Sequence, residues 1–255
     1  MMEPEVAIVI PVRNGVATLA GTVDATVELF ERADLPTEIV IVDDGSTDET
    51  PNAIAELTRR HPSALRSVRT APAGLAAARN TGIAATTAPM VGFLDADDRF
   101  EEAMPAELVP RLRRREADML QGRIRDRWVG RGIGATYEGV QVGSVIVRRD
   151  VFDRIGVFDE TLTWGEDYDL LLRAFDLRVS KRRVPDVVLE YLRHPFGMTA
   201  GSGLPPAAML AAQRNSLRRR RRGLASPPVG FPSLSEYLGV PPPDVHRPPR
   251  EAAMQ

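Results

Sequence analysis

Short apolar runs alternate with helix-period segments from the N-terminus onward, and this alternation constrains the fold more than any other feature of the chain. The runs Val6 to Ile10, Glu38 to Val42, Ala64 to Arg69 and Met90 to Leu94 are separated by segments that read as helices over Ala17 to Arg32, Thr50 to Arg60 and Leu75 to Thr86. Strand and helix in strict alternation argue for βαβ units and a mostly parallel sheet. Val6 to Ile10 is apolar without interruption, as expected of a strand covered by helices on both faces. In the first helix Leu19, Val23, Val27 and Phe30 recur at helical spacing and make one apolar stripe. Ligands of open α/β sheets sit beyond the carboxyl ends of the strands. Two acidic clusters fall there: Asp43-Asp44-Gly45-Ser46-Thr47-Asp48 and Asp95-Ala96-Asp97-Asp98.

The second half is less regular. It reads as a helix over Glu101 to Arg115, a strand over Asp118 to Ile124, an extended segment from Ala135 to Val147, a helix over Gly165 to Leu177 and a strand over Val187 to Leu192. From Pro195 the composition changes, because 11 of the 21 prolines lie beyond residue 194. Such density predicts an extended, partly disordered tail, with one helix over Pro206 to Arg222. The expected organisation is one domain over residues 1–195 and a Pro/Arg-rich extension over 196–255.

Composition removes several kinds of chemistry. The chain has no cysteine, so disulfides, thiolate metal sites and cysteine nucleophiles are excluded. Lys181 is the sole lysine and GxxxxGK(S/T) is absent, which leaves almost no candidate for Schiff-base or P-loop chemistry. The net charge of −2 gives no support to nucleic-acid binding. Residues 196–255 nevertheless carry eight arginines against three carboxylates, so the first 195 residues are distinctly acidic. No apolar run approaches the roughly 18 residues needed to span a bilayer, and the acidic opening before the first strand is unlike a signal sequence. A cytoplasmic protein is expected.

Four groups of residues suit chemistry, and each has a plainer alternative. Asp43-Asp44-Gly45 could accept hydrogen bonds from a planar donor such as a nucleobase, or form an Asx-turn. Asp95, Asp97 and Asp98 crowd carboxylates that suit Mg²⁺ or Mn²⁺ shared with a diphosphate, or they begin a solvated helix. Glu166, Asp167 and Asp169 could supply a general base, or serve the first turn of a helix through its dipole. His194 closes a strand, where its imidazole is either a ligand or structural. Gly130-Arg131-Gly132-Ile133-Gly134-Ala135 fits GxGxx(G/A) but opens no helix, so a hairpin or loop is expected there.

In order, Ile8-Val9-Ile10-Pro11-Val12-Arg13-Asn14, Val42-Asp43-Asp44-Gly45-Ser46-Thr47-Asp48, Gly74-Leu75-Ala76-Ala77-Ala78-Arg79-Asn80-Thr81-Gly82, Phe93-Leu94-Asp95-Ala96-Asp97-Asp98, Phe158-Asp159-Glu160 and Gly165-Glu166-Asp167 resemble the family 2 inverting glycosyltransferases of GT-A fold. The resemblance covers about residues 5–195. It implies a single Rossmann-like open mixed sheet flanked by helices and a nucleotide-sugar donor, with a UDP-sugar favoured. Pro11, Val12 and Arg13 would line the base and ribose, Asp44 would bond the base, and Arg79 would approach the nucleotide. Asp95, Ala96 and Asp97 match the DxD motif, with Asp97 the direct ligand of Mn²⁺ or Mg²⁺ and Asp95 and His194 completing the site. Asp167 matches the base that deprotonates an acceptor hydroxyl, with Glu166 beside it. Position 13 is arginine where the family commonly has an aromatic residue.

The acceptor, whether saccharide, lipid-linked, peptide or small molecule, is not legible. Two other readings compete with sugar transfer: a non-catalytic module that binds nucleotide sugars or docks on a membrane through its arginine helix, and nucleotidyl transfer to a sugar phosphate. The latter usually wants a glycine-rich basic loop after the first strand, and Pro11-Val12-Arg13-Asn14 supplies little of that.

Overall fold

A computed structural model of the chain describes residues 3–193, 206–221 and 230–239. The first half contains β1 (Val6–Val12), α1 (Leu19–Arg32), β2 (Thr37–Asp44), α2 (Thr50–Arg60), β3 (Leu65–Thr70), α3 (Leu75–Ala85) and β4 (Met90–Phe93). The second contains β5 (Arg99–Phe100), α4 (Val109–Arg113), β6 (Met119–Trp128), β7 (Gly132–Tyr137), β8 (Val145–Arg148), α5 (Asp150–Ile155), α6 (Glu166–Asp176) and β9 (Lys181–Arg193). Two further helices follow, α7 (Pro206–Arg221) and α8 (Leu234–Leu238).

The strands form one mixed sheet in the order β3-β2-β1-β4-β8-β6-β9-β5, with β7 hairpinned onto β6. β3, β2, β1 and β4 are parallel, β8 is antiparallel to both β4 and β6, and β9 runs parallel to β6. The carboxyl ends of β1, β2, β4, β6 and β9 therefore share one edge. The strand order reverses between β1 and β4, the kind of switch point at which open α/β sheets hold ligands.

The period of two along the strands divides the core. Val6, Ile8, Ile10 and Val12 of β1 and Ile39 and Ile41 of β2 pack with α1, α2 and α4 on one face. Val9, Val40 and Val42 pack with α3, α5, α6 and α8 on the other. All seven residues of β1 are buried, which is why the strand reads as a continuous apolar run. Close approach on the second face depends on Gly82 of α3, where a Cβ would collide with the methyls of Val9. Gly82→Ala is expected to destabilise by about 1–3 kcal/mol through overpacking. Denaturant unfolding checks this, and an unchanged midpoint would mean that α3 lies looser on β1.

The sequence reading needs correction in the second half. The helix expected over Glu101 to Arg115 is a π-helical turn at Met104–Leu108 followed by the short α4, because Pro105 and Pro110 interrupt the regular ladder. The extended segment expected from Ala135 to Val147 is β7, a 3₁₀ turn at Val142–Ser144, and β8. The expected strand over Val187 to Leu192 is longer, beginning at Lys181. Gly130 to Ala135 does form the expected hairpin.

Beyond residue 195 the described residues form two helices, and both pack against the body of the chain. α7 lies on α6: Ser216 Oγ donates to Asp176 Oδ1 at 3.0 Å, Arg219 pairs with Asp176 at 3.0 Å, and Gln213 donates to the Tyr168 hydroxyl at 3.1 Å. α8 opens on a Ser233/Glu236 capping box and buries Tyr237, whose hydroxyl donates to the Val179 carbonyl at 3.0 Å. Phe175, Phe231 and Tyr237 make an aromatic cluster, with centroids 5.4–5.8 Å apart. Among the described residues no helix is long and apolar enough to cross a membrane.

Candidate active site

The carboxyl edge of the sheet is built first from the loops after β1 and β2. Pro11 and Val12 are buried and pair in register with Val42 and Asp43, and the chain emerges at the exposed Arg13. The Asn14 N–H donates to Ser46 Oγ at 2.9 Å and its Oδ1 accepts from the Thr47 N–H at 2.8 Å, which ties the two loops together. Asp43 makes the expected turn, accepting the Ser46 N–H at 2.8 Å. Asp44 does something different. Its two oxygens accept the N–H groups of Ala73 at 2.6 Å and Gly74 at 2.9 Å, fixing the entry to α3. Each carboxylate oxygen carries a second lone pair, so further donors can still be accepted.

The segment Asp95-Ala96-Asp97-Asp98 follows β4. Asp95, Ala96 and Asp97 are half-buried and Asp98 is buried. The Thr22 hydroxyl of α1 donates to the carbonyls of Ala96 at 3.0 Å and Asp98 at 3.2 Å, holding the turn in shape. Asp98 does not serve as the cap of a helix. Its carboxylate accepts the Leu192 N–H at 2.8 Å and anchors the end of β9. Burial, together with the charges of Asp95 and Asp97, pushes its carboxyl well above the usual range.

Arg79, one turn into α3, joins this segment to α6. Its Nη2 donates to Asp95 Oδ1 at 3.0 Å, and its Nη1 donates to Glu166 Oε1 at 2.9 Å and Asp167 Oδ1 at 2.6 Å. The guanidinium lies over the Phe158 ring, 5.4 Å from its centroid. Only 2% of Arg79 is exposed, so a planar fork with several donors is needed to satisfy three carboxylates at once. In this geometry the fork of Arg79 grips three carboxylates.

Asp167 is held from the other side by the Val142 N–H, which donates to Oδ2 at 3.0 Å. Neither Glu166 nor Asp167 caps α6: the N-cap is Gly165, in the left-handed region at φ 78°, and no side chain makes the capping bond. Burial raises the Asp167 carboxyl to about 7, against the opposing pull of Arg79 and with help from the charges of Glu166 and Asp95.

Asp95 and Asp97 suit a hard divalent cation. The Asp95 side chain is 34% exposed and Asp97 is half-buried, so both stand where a ligand can reach them. Among the described residues no set of three or more His, Asp or Glu side chains makes a complete cage. Mg²⁺ is commonly held by one or two carboxylates and completed by substrate phosphates, so these two carboxylates fit the protein's share of such a shell. His194, the third expected ligand, lies outside the described residues.

The structure thus brings Arg79, Asp95, Glu166 and Asp167 together, and puts Pro11, Val12, Arg13 and Asp44 on the neighbouring strand ends. Sequence reasoning missed Val142, Thr22 and Asn80. The Asn80 side chain accepts the Phe158 N–H at 2.9 Å and donates to the Phe158 carbonyl at 3.0 Å, which seats the ring under Arg79. Asn80 and Phe158 lie within motifs named above, and that was their only signal. Val142 acts through its backbone and leaves none.

Residues 7–155 match the model of glycosyl transferase family 2. The succinoglycan biosynthesis protein ExoU of Rhizobium meliloti (strain 1021) is 33% identical over 199 residues, covering 67% of this chain and 56% of its own length. This chain therefore spans little more than half of that relative. Among solved structures, S. aureus TarS 1-349 in complex with UDP-GlcNAc aligns with a TM-score of 0.69 at 17% identity, over 88% of this chain and 68% of that one. The mannosyltransferase PcManGT from Pyrobaculum calidifontis, in complex with GDP-Man and Mn2+, aligns with a TM-score of 0.69 at 22% identity, over 89% of this chain and 67% of that one. At these identities the likeness speaks for the fold, a GT-A sheet. With the family match spanning more than half of its residues, the chain belongs to glycosyl transferase family 2.

Proposed function

We propose that this chain transfers a sugar from a nucleotide-sugar donor, a UDP-sugar by preference, to an acceptor hydroxyl with inversion at the anomeric carbon. The observation that carries the reading is the Arg79 junction, which links Asp95 of the donor segment to Asp167 of α6 through one buried guanidinium. Pro11, Val12, Arg13 and Asp44 line the donor's base and ribose. Asp97 and Asp95 would hold Mn²⁺ or Mg²⁺, with His194 the third ligand that the resemblance implies. When bound, the cation would supply charge compensation for a leaving diphosphate.

Asp167 takes the proton of the acceptor hydroxyl. The acceptor oxygen forms its bond to the anomeric carbon as the bond from that carbon to the diphosphate oxygen breaks, and the electron pair leaves with the diphosphate. One displacement from the opposite face inverts the configuration. A base whose carboxyl is raised to about 7 is well matched to this step near neutral pH. Arg79 keeps Asp167 and Asp95 in fixed relation, and Glu166, sharing the same guanidinium, fixes its orientation. The donors seen with TarS and PcManGT are UDP-GlcNAc and GDP-Man, and both are consistent with a nucleotide sugar here.

The metal assignment is tested by donor-binding calorimetry on Asp97→Ala. The wild type should bind a UDP-sugar in Mg²⁺ and lose on the order of tenfold or more in affinity with EDTA, while the variant is weak in both. Binding by Asp97→Ala as tight as wild type, with the same EDTA response, would reject Asp97 as a ligand.

A further inference from the structure

The two long sides of α7 differ. Ala212 and Ser216 are buried against α6, and Arg219 reaches Asp176 on the same side. On the opposite side Leu210, Arg214, Leu217 and Arg218 are all exposed. At about 100° per residue, the two leucines stand within roughly 20° of each other around the axis, with Arg214 and Arg218 immediately to one side.

Leu210 is 50% exposed and Leu217 53%, and they are two of the six large apolar side chains left exposed among the described residues. The other four, Val16, Val129, Ile133 and Val157, stand in loops or on the β6–β7 hairpin, so α7 alone sets exposed leucines among arginines on a helix face.

We propose that this outer face of α7 docks on an anionic lipid bilayer. Charge complementarity selects the occupant. Residues 196–255 carry eight arginines against three carboxylates, five of them consecutive at 218–222, while the remainder of the chain is net acidic. An anionic surface repels the acidic body and attracts this side, which fixes the approach. The leucines enter the boundary between headgroups and acyl chains, and the guanidinium groups meet lipid phosphates beside them. A second copy fits less well, because a two-fold contact through this face would set arginine against arginine. The inference does not depend on the sugar-transfer reading.

The full chain is tested by co-sedimentation with vesicles of phosphatidylcholine alone and with about 30% phosphatidylglycerol, at roughly 0.1 M salt. Wild type is expected to partition onto the anionic vesicles at least about tenfold better than onto neutral ones, and to be released by about 0.5 M salt. Leu210→Ser with Leu217→Ser, and separately Arg214→Gln with Arg218→Gln, should each weaken binding by about tenfold or more. All four side chains are exposed, so both double variants should keep the wild-type melting temperature and donor hydrolysis. Absent binding, equal binding to both vesicle types, or two double variants that bind like wild type would overturn the proposal. So would a concentration-dependent dimer that the leucine pair abolishes in the absence of vesicle binding, which would assign the face to a second copy.

Discussion

Asp167→Asn should lower turnover by about 10²–10⁴-fold while leaving donor affinity nearly unchanged, because a positioned base acts on the barrier and contributes little to donor binding. The substitution is close to isosteric. Asparagine can still accept from Arg79 through its one oxygen, but its amide cannot also accept the Val142 N–H, so a stability loss of about 1–3 kcal/mol is expected alongside. That loss is a fraction of the roughly 5–15 kcal/mol typical of a folded domain and can be read separately by thermal melting. The pH profile gives an independent readout. Burial holds the Asp167 carboxyl at about 7, and the neutral acid cannot take a proton. The kcat/KM for donor consumption should therefore fall about tenfold per pH unit below that value and level off above it. Asp167→Asn should remove this acid limb, and a flat wild-type profile between about pH 5.5 and 8 would assign the proton transfer to another group.

Arg79→Met should cause the largest loss of stability among single substitutions at the site, about 3–5 kcal/mol, because it removes the one cation shared by three carboxylates. For a chain of this size that corresponds to a fall in Tm of roughly 6–20 °C. Arg79 is almost fully buried, so the methionine fills similar space, and the loss reports charge compensation more than packing. Arg79→Lys should recover part of it, since a point charge cannot reach Asp95, Glu166 and Asp167 together. Chemical denaturation of both variants checks the order. A loss below about 1 kcal/mol for Arg79→Met would mean that the carboxylates are adequately solvated without the guanidinium.

The first half of the fold was legible because β1, β2 and β4 are buried on both faces and its helices on one. α2 appears with the boundaries read from the sequence, Thr50–Arg60. In the second half the strands were read only in part, for identifiable reasons. Arg125 and Arg127 hide the end of β6, and Lys181, Arg182 and Arg183 hide the start of β9, where only the pairing of the two strands reveals them. The site was legible as motifs but not as contacts. Arg79 lies 87 and 88 residues from Glu166 and Asp167, and no local pattern encodes that junction. α8 went unread because five residues give too short a period to detect, although Ser233 and Glu236 carry the capping box.

The arginine-rich helix also takes on a meaning that spacing alone could not supply. Gln213 meets Tyr168 near the start of α6, whereas Ser216 and Arg219 meet Asp176 at its end. Arg219 also reaches Asp169 Oδ1 in the first turn of α6 at 3.8 Å, so its guanidinium is shared by two buried aspartates and is structural.

The central claim joins one base to one inverting displacement. Proton NMR of a UDP-sugar turned over in Mg²⁺, recorded faster than the released sugar mutarotates, reads both. The account predicts that the wild type releases sugar with the anomeric configuration opposite to that in the donor, and that Asp167→Asn consumes donor at least about a hundredfold more slowly. Release with retained configuration, or equal consumption by Asp167→Asn, would contradict it.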